Sequence, residues 1–195
     1  MKRIILASGS PRRKMLLDWA ELKFEVIVSD ADETFSSDLD PAEVAISIAQ
    51  KKNQAVVAYL NNDIADAIVI SADTIVVLNN EIIGKPLDRN DALGIIKKLS
   101  GQSHQVITAV NIRDEEQDIS FHDTTEVVFH ELADDQIMHY VDNYKPYDKA
   151  GAYAIQEWIG VVGIHSIRGD FYNVMGLPVS RVLKSLKEDF RVHLK

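Results

Sequence analysis

Two stretches of the chain set charge against apolar residues in a way that points to phosphate chemistry. In LASGSPRRK (6–14), an apolar run gives way to four small residues, Ala7 to Ser10, then Pro11 and the adjacent arginines Arg12 and Arg13. Ser10 before Pro11 reads as a helix start, with an N-cap oxygen and a proline at the first helical position. The backbone N–H groups of such a turn, at the positive end of the helix dipole, can hold an anion. Arginines in that turn add bidentate donors shaped for phosphate, and their charge is unfavourable there unless an anion compensates it. Alone, the stretch also fits two solvated arginines on a surface helix. It is not a P-loop, which needs G-x-x-x-x-G-K.

The second stretch is VISADTIVV (69–77), in which Asp73 is framed by Ile70, Ala72, Ile75 and Val76. A carboxylate in such company is seldom simply solvated; buried acids are paired or bind metal. Its expected place, at the end of a strand running to Ala72, is where open α/β sheets put their ligands; the other reading is a hairpin cap. A third charge comes from the helix after Pro41. Ala45, Ile48, Ala49, Ala55, Val56 and Tyr59 form one apolar stripe at 100° per residue, with Lys52 inside it and Lys51 to one side. An inward lysine needs an anionic partner, unless it snorkels at the stripe's edge. The acidic loop SDADETFSSD (29–38) offers Asp30, Asp32 and Glu33, which are either solvated or join Asp73 around a hard divalent cation. GKP (84–86) adds Lys85 in a constrained turn. Together these groups are the inventory for phosphoryl chemistry on a polyphosphate, where catalysis is mostly positioning and charge neutralisation. No Ser-His-Asp arrangement competes, and the histidines have no metal-ligand spacing.

The elements that must position these groups alternate. Expected strands are 3–7, 24–29, 67–72, a hairpin turning at Asn79–Asn80, 103–113, 119–130 and a late strand in VVGIHSI (161–167). Expected helices run from Pro11 to about Trp19, from Asp40 to about Tyr59, through DRNDALGIIKKL (88–99), around 134–143 and through GLPVSRVLKSLKEDF (176–190). Asp40, Pro41 and Glu43 make a capping box with proline at N1. The final KEDFRVHLK (187–195) reads as a fraying helix end. Crossovers and hairpins together imply an α/β fold with a mixed sheet.

The bounds agree. At 195 residues the chain has room for one domain, 1–195, with two lobes. A formal net charge of −9 repels polyanions, so neither nucleic acid nor an anionic membrane is an expected partner. There is no cysteine, hence no thiol nucleophile or thiolate metal site. The apolar run 4–7 is too short for a signal-peptide core, and the expected location is cytoplasmic.

LASGSPRR, SADTIVV, GKP, KLSGQSHQVITAV, DKAGAYAIQ and GDFYNVMGLP, in that order, closely resemble the Maf family of nucleotide pyrophosphatases, named for an association with bacterial septum formation. The SPRR and DKAGAY forms are similar to the branch acting on dTTP and UTP. The resemblance implies a fold shared with inosine-triphosphate pyrophosphatases, an elongated mixed sheet with a nucleotide cleft between two lobes. It also implies a divalent metal (Mg²⁺ or Mn²⁺), release of pyrophosphate to leave a monophosphate, and often a homodimer. By motif, Asp73 corresponds to the general base and, with Glu33, to a metal ligand. Arg12, Thr74 and Gln156 correspond to positions linked to substrate choice, and Ser8, Arg13, Lys52 and Lys85 to the remaining polar cleft residues. Two departures stand out: Ser71 where the family usually has glycine, and AIQEW (154–158) for the common GIQG. The reaction this implies is hydrolysis of dTTP, UTP or a modified pyrimidine nucleotide at the α–β bond. A pyrimidine nucleotidyltransferase and a non-catalytic nucleotide sensor are the competing classes.

Overall fold

The computed structural model describes residues 2–35, 38–61 and 63–193. Ser36 and Ser37 of the acidic loop, and Leu194 and Lys195 of the C-terminal stretch, lie outside the described residues. The strands are β1 (Arg3–Leu6), β2 (Glu25–Val26), β3 (Ala67–Leu78), β4 (Glu81–Ile83), β5 (Ser103–Arg113), β6 (Asp118–Phe129) and β7 (Ile164–Arg168). The helices are α1 (Pro11–Trp19), α2 (Pro41–Tyr59), α3 (Arg89–Leu99), α4 (Asp134–Tyr144), α5 (Trp158–Gly163), α6 (Phe171–Met175) and α7 (Val179–Glu188), with a 3-10 turn at Ala150–Ala152. Among the described residues the strands form one seven-stranded sheet in the order β2-β1-β3-β5-β6-β7, with β4 paired to β3. It is mixed: β1 runs parallel to β2 and β3, whereas β4 and β7 pair antiparallel.

The chain divides into two compact units. The first holds residues 1–73, 108–123 and 176–195; the second holds 74–107 and 124–175. In the first, β1 pairs with β3 from Arg3↔Ala67 to Leu6↔Ile70, and α2 lies over a core of Ile5, Ala7, Val56, Val57, Ile64, Ala67 and Val69. The α2 start is built as expected, Asp40 accepting from the Glu43 N–H at 2.9 Å while Glu43 reaches back to the Asp40 N–H at 3.1 Å. In the second unit α3 packs on α4 and on the 3-10 turn. The β3–β4 turn at Asn79 and Asn80 takes left-handed backbone at both positions, φ 52° and 66°, as a two-residue I′ hairpin requires.

Several expectations are corrected. The second strand stops at Val26 rather than Ser29 because its neighbour β1 stops at Leu6; after the Ile27 N–H to Leu6 O bond at 3.2 Å there is no further strand to pair with. β3 does not end at Ala72 but continues through Asp73 to Leu78, so Asp73 sits inside a strand, three residues past its last β1 partner, Ile70. Residues 161–163 are helical, not extended: they complete α5, and β7 begins only at Ile164; within α5, Gly160 packs so close to the Ile155 carbonyl that a Cβ there would stand 1.7 Å from its oxygen. The buried face of α2 is Val44, Ala45, Ile48, Ala49, Asn53, Val56 and Val57, while Tyr59 is exposed. Asn53 turns the stripe inward because its side chain finds buried carbonyls to bond. The final helix ends at Glu188, and of the described residues after it, 189–193, Phe190 and Val192 are buried rather than frayed.

His104, Phe129 and Tyr153 form a buried edge-on aromatic cluster in the second unit, with His104 Nε2 2.8 Å from the Tyr153 hydroxyl. Burial pushes the His104 pKa down to about 4, and the same burial pushes the Tyr153 phenol up. His104 is therefore neutral when folded but titrates at its ordinary value, 6.5, when unfolded. Its contribution is fully present above that value and drains away as pH falls toward 4. Between pH 7 and pH 5 the loss is expected to be about 2 kcal/mol. Urea unfolding of the wild type and His104→Gln at both pH values measures it; equal losses in the two proteins would refute the assignment.

Candidate active site

In the first unit, the loop between β1 and α1 is drawn onto β3 by the Ala7 N–H to Ile70 O bond at 2.7 Å. Ser8 is buried, and its Oγ accepts from the Ser10 N–H at 3.3 Å. Ser10 is the N-cap residue in extended conformation, but its hydroxyl makes no cap bond, and no acidic residue stands in the first turn. The expected N-cap oxygen is thus not used as one. The positive end of α1 carries no compensating carboxylate of its own.

Arg13 is the most buried cation of the group, 8 % exposed. Its Nε donates to Gly176 O at 2.8 Å, and its Nη1 donates to Ala72 O at 2.8 Å and to Ser8 Oγ at 3.1 Å. One side chain therefore ties together the β1–α1 loop, the residue before Asp73 and the chain leading into α7. Burial pushes its pKa below the usual guanidinium value, with Asp73 and Glu33 pulling the other way and Arg12 adding to the fall. A guanidinium stays protonated regardless, so the fold holds a buried positive charge that donates to three neutral oxygens. Arg12, beside it on α1, is half-buried.

The expected anionic partner of Lys52 exists. Its ammonium bridges two carboxylates, Asp73 Oδ1 at 2.7 Å and Glu33 Oε1 at 3.0 Å. Asp73 is nearly enclosed, its side chain 12 % exposed, whereas the Glu33 side chain is half in solvent. The α2 helix is held against β3 and β5 by a set of polar ties that fix where Lys52 can reach. Ser71 Oγ donates to Ala49 O at 2.6 Å, and Asn53 Nδ2 donates to Val69 O at 2.9 Å and Asn111 O at 3.3 Å. Asn111 in turn donates to Asp118 and Ser120, and Gln50 also bonds Ser120. Ser71 thus points at α2 as a strap one helical turn before Lys52. Nothing in the spacing marked Asn53 or Asn111, since a polar residue on a helix or strand normally reads as solvent-facing.

Thr74, Lys85 and Gln156 belong to the second unit. Thr74 is half-buried on β3, Lys85 is exposed just after β4, and Gln156 is exposed before α5. The Lys85 turn is tied to the DKAGAY segment by the Gly151 N–H to Gly84 O bond at 3.0 Å. Gly151 has φ +67°, and a Cβ there would meet Val76 Cγ2 at 2.8 Å, so only glycine serves. Glu157, the departure next to Gln156, turns inward: Tyr140 donates its hydroxyl to Glu157 Oε2 at 2.7 Å, and Lys149 Nζ stands 3.6 Å from Oε1. No spacing in the sequence singles out Tyr140 or Lys149 as part of this turn; Tyr140 carries no signal beyond an apolar helix face.

Whether a divalent cation fits can be judged from the donors. Among the described residues there is no cluster of three or more histidines and acids able to hold a metal. Glu33 and Asp73 make two carboxylates, already bridged by Lys52. Mg²⁺ commonly takes one or two carboxylates and completes its shell with water and substrate phosphate oxygens. The pair fits such a shared site and does not fit an all-protein cage. Among the described residues no helix is long and apolar enough to cross a membrane.

The profile of the Maf family, described as Maf-like protein, matches residues 3–189. The chain belongs to the Maf family. Three Maf relatives bear the name dTTP/UTP pyrophosphatase. The Cytophaga hutchinsonii protein is 45% identical over 192 residues, 98% of this chain and 86% of its own. That of Parabacteroides distasonis is 44% identical over 95% of both chains, and that of Bacillus velezensis 46% over 96% of both. A solved structure, the Staphylococcus aureus Ham1 protein, aligns at 18% identity with TM-score 0.46, covering 67% of this chain and 73% of that one.

Proposed function

We propose that this Maf protein is a nucleoside triphosphate pyrophosphatase, with the whole chain, 1–195, serving as one nucleotide-hydrolysing domain and dTTP and UTP as substrates. The observation that most supports it is the Lys52-bridged Asp73 beside the Arg13-braced loop: an oriented carboxylate next to stored positive charge. The relatives' shared name supports the pyrimidine assignment. The acidic net charge favours a small nucleotide over a polynucleotide.

In this reading the α1 N-terminus, Ser8 and Arg12 bind the triphosphate, and the buried Arg13 charge adds attraction while its bonds hold the loop in shape. Lys52 engages one oxygen of Asp73 and so restricts the rotation of the carboxylate. Asp73 takes a proton from water as the water oxygen bonds to the α-phosphorus. The bond from that phosphorus to the α–β bridging oxygen breaks, and its electron pair leaves with pyrophosphate. Lys85 contributes charge toward the phosphates. When bound through Glu33 and Asp73, Mg²⁺ or Mn²⁺ would supply charge neutralisation at phosphate oxygens. Thr74 and Gln156 are assigned to the base. The amide of Gln156, with a donor and an acceptor, matches the edge of thymine or uracil, and the wrong base would leave polar groups unpaired.

The test is incubation of the pure protein with a panel of nucleoside triphosphates, with and without Mg²⁺ or Mn²⁺, followed by product separation. Metal-dependent monophosphate plus pyrophosphate from dTTP and UTP, with no acceptor present, is expected. Pyrophosphate released only with a sugar phosphate would make the protein a nucleotidyltransferase. Binding without turnover across the panel would make it a sensor and remove the role given to Asp73.

A further inference from the structure

We propose that the bond from buried Tyr140 to Glu157 sets the position of Gln156 and thereby the enzyme's selectivity for the pyrimidine base; this rests on the reading of Gln156 given above. Gln156 lies on a tight turn, closed by the Glu157 N–H donating to Ala154 O at 3.0 Å and continued by the Gly160 N–H donating to Glu157 O at 2.9 Å. Ile155, its neighbour, is buried and anchors the turn from one side. Tyr140 anchors both ends. Its hydroxyl donates to Glu157 Oε2 at 2.7 Å and accepts from the Ala154 N–H at 3.2 Å, so a single oxygen joins the residue entering the turn to the residue leaving it.

The anchor is itself rigid. Tyr140 is fully buried on α4, with its ring stacked on Tyr144 at a centroid distance of 5.1 Å. Lys149, with a side chain 9 % exposed, places its ammonium 2.8 Å from Asp148 and 3.6 Å from Glu157, adding charge on the inner side of the Glu157 carboxylate. Gly160 completes the device, since any side chain would collide with the Ile155 carbonyl. Glu157 faces these groups and is 24 % exposed at its side chain, which leaves the outward position of the turn to Gln156. An amide that discriminates bases by hydrogen bonds must be held to within about 0.5 Å. Tyr140 and Glu157 are positioning residues: they act through the backbone of the turn.

The experiment compares kcat and KM for UTP, dTTP and CTP in the wild type, Tyr140→Phe, Glu157→Gln and Gln156→Ala, with thermal melts to establish folding. Tyr140→Phe is expected to leave kcat for UTP within about twofold, to raise its KM about tenfold, and to lower the UTP/CTP ratio of kcat/KM about tenfold. Glu157→Gln, which keeps an acceptor for Tyr140, is expected to retain most of that ratio. A folded Tyr140→Phe with the wild-type ratio overturns the proposal, as does a fall in kcat common to all nucleotides with the ratio unchanged. If Tyr140→Phe is recovered unfolded, Glu157→Ala replaces it, with the same loss of ratio expected and an unchanged ratio overturning the proposal. Gln156→Ala separates the two levels. A wild-type ratio there overturns the base-reading role itself, whereas a lost ratio there with a retained one in Tyr140→Phe overturns the brace alone.

Discussion

Asp73→Asn is expected to lower kcat for dTTP and UTP by about a thousandfold, within the range that a positioned general base contributes. The substitution keeps the size and hydrogen-bonding capacity of the side chain, so the Lys52 contact at Oδ1 can persist as a bond to a neutral amide. What disappears is the group able to accept a proton from the attacking water. Lys52 retains Glu33 as a counter-charge, and the polar ties from Ser71 and Asn53 to α2 and β3 are untouched, so the fold is expected to hold. Steady-state kinetics, nucleotide binding by calorimetry and a thermal melt together check it. A variant that melts and binds like the wild type but turns over at about a thousandth of the rate fits a base. One that turns over normally requires the proton to go elsewhere.

Arg13→Met is expected to destabilise the protein by about 3 kcal/mol, since buried acceptors left without a donor cost about 1–3 kcal/mol each. Methionine fills comparable volume and abolishes the cost of burying a charge, which in some proteins makes such a replacement harmless. Here the partners do not change with it: Ala72 O and Gly176 O lose the arginine donor together, while Ser8 Oγ keeps the Ser10 N–H. Arg13→Lys keeps the charge but concentrates its donors on one nitrogen, which cannot serve partners approached from both Nε and Nη1. It is expected to recover less than half of the loss. Urea denaturation of the three proteins gives the comparison directly. Stability equal to wild type in Arg13→Met would show that the brace is dispensable and that the arginine is kept for its charge alone.

The contrast between these residues shows how much of the site was legible beforehand. Asp73 was marked by its apolar frame, and Lys52 by its place in an apolar stripe, because a charge among hydrophobic neighbours implies a partner whatever the fold. That the two are partners of one another could not be read, since it depends on the register of α2 on β3. That register is set by Ser71 and Asn53, polar side chains bonded to buried carbonyls, the Asn111 carbonyl among them, and nothing local distinguishes a polar residue that faces a carbonyl from one that faces water. Arg13 was legible as a cation near a helix start. Its use as a bracket was not, because its acceptors are backbone oxygens at positions 72 and 176, and backbone carbonyls are the same in every sequence.

Local chemistry determined the starts of α1 and α2, the Asn79–Asn80 hairpin, the mixed α/β class and the charged groups suited to phosphate, because caps, turn residues and hydrophobic period act over a few residues. Tertiary structure alone decided where strands stop. β2 ends when β1 does, and β3 runs on through Asp73 because neighbouring strands, not its own residues, supply its hydrogen bonds. Residues 161–163 are a local matter: they belong to the short helix α5, whose Gly160 packs on a carbonyl only five residues earlier. Glu157 read as an alteration beside Gln156, and the fold turned it into a support for that residue by placing the Tyr140 hydroxyl 2.7 Å from its carboxylate.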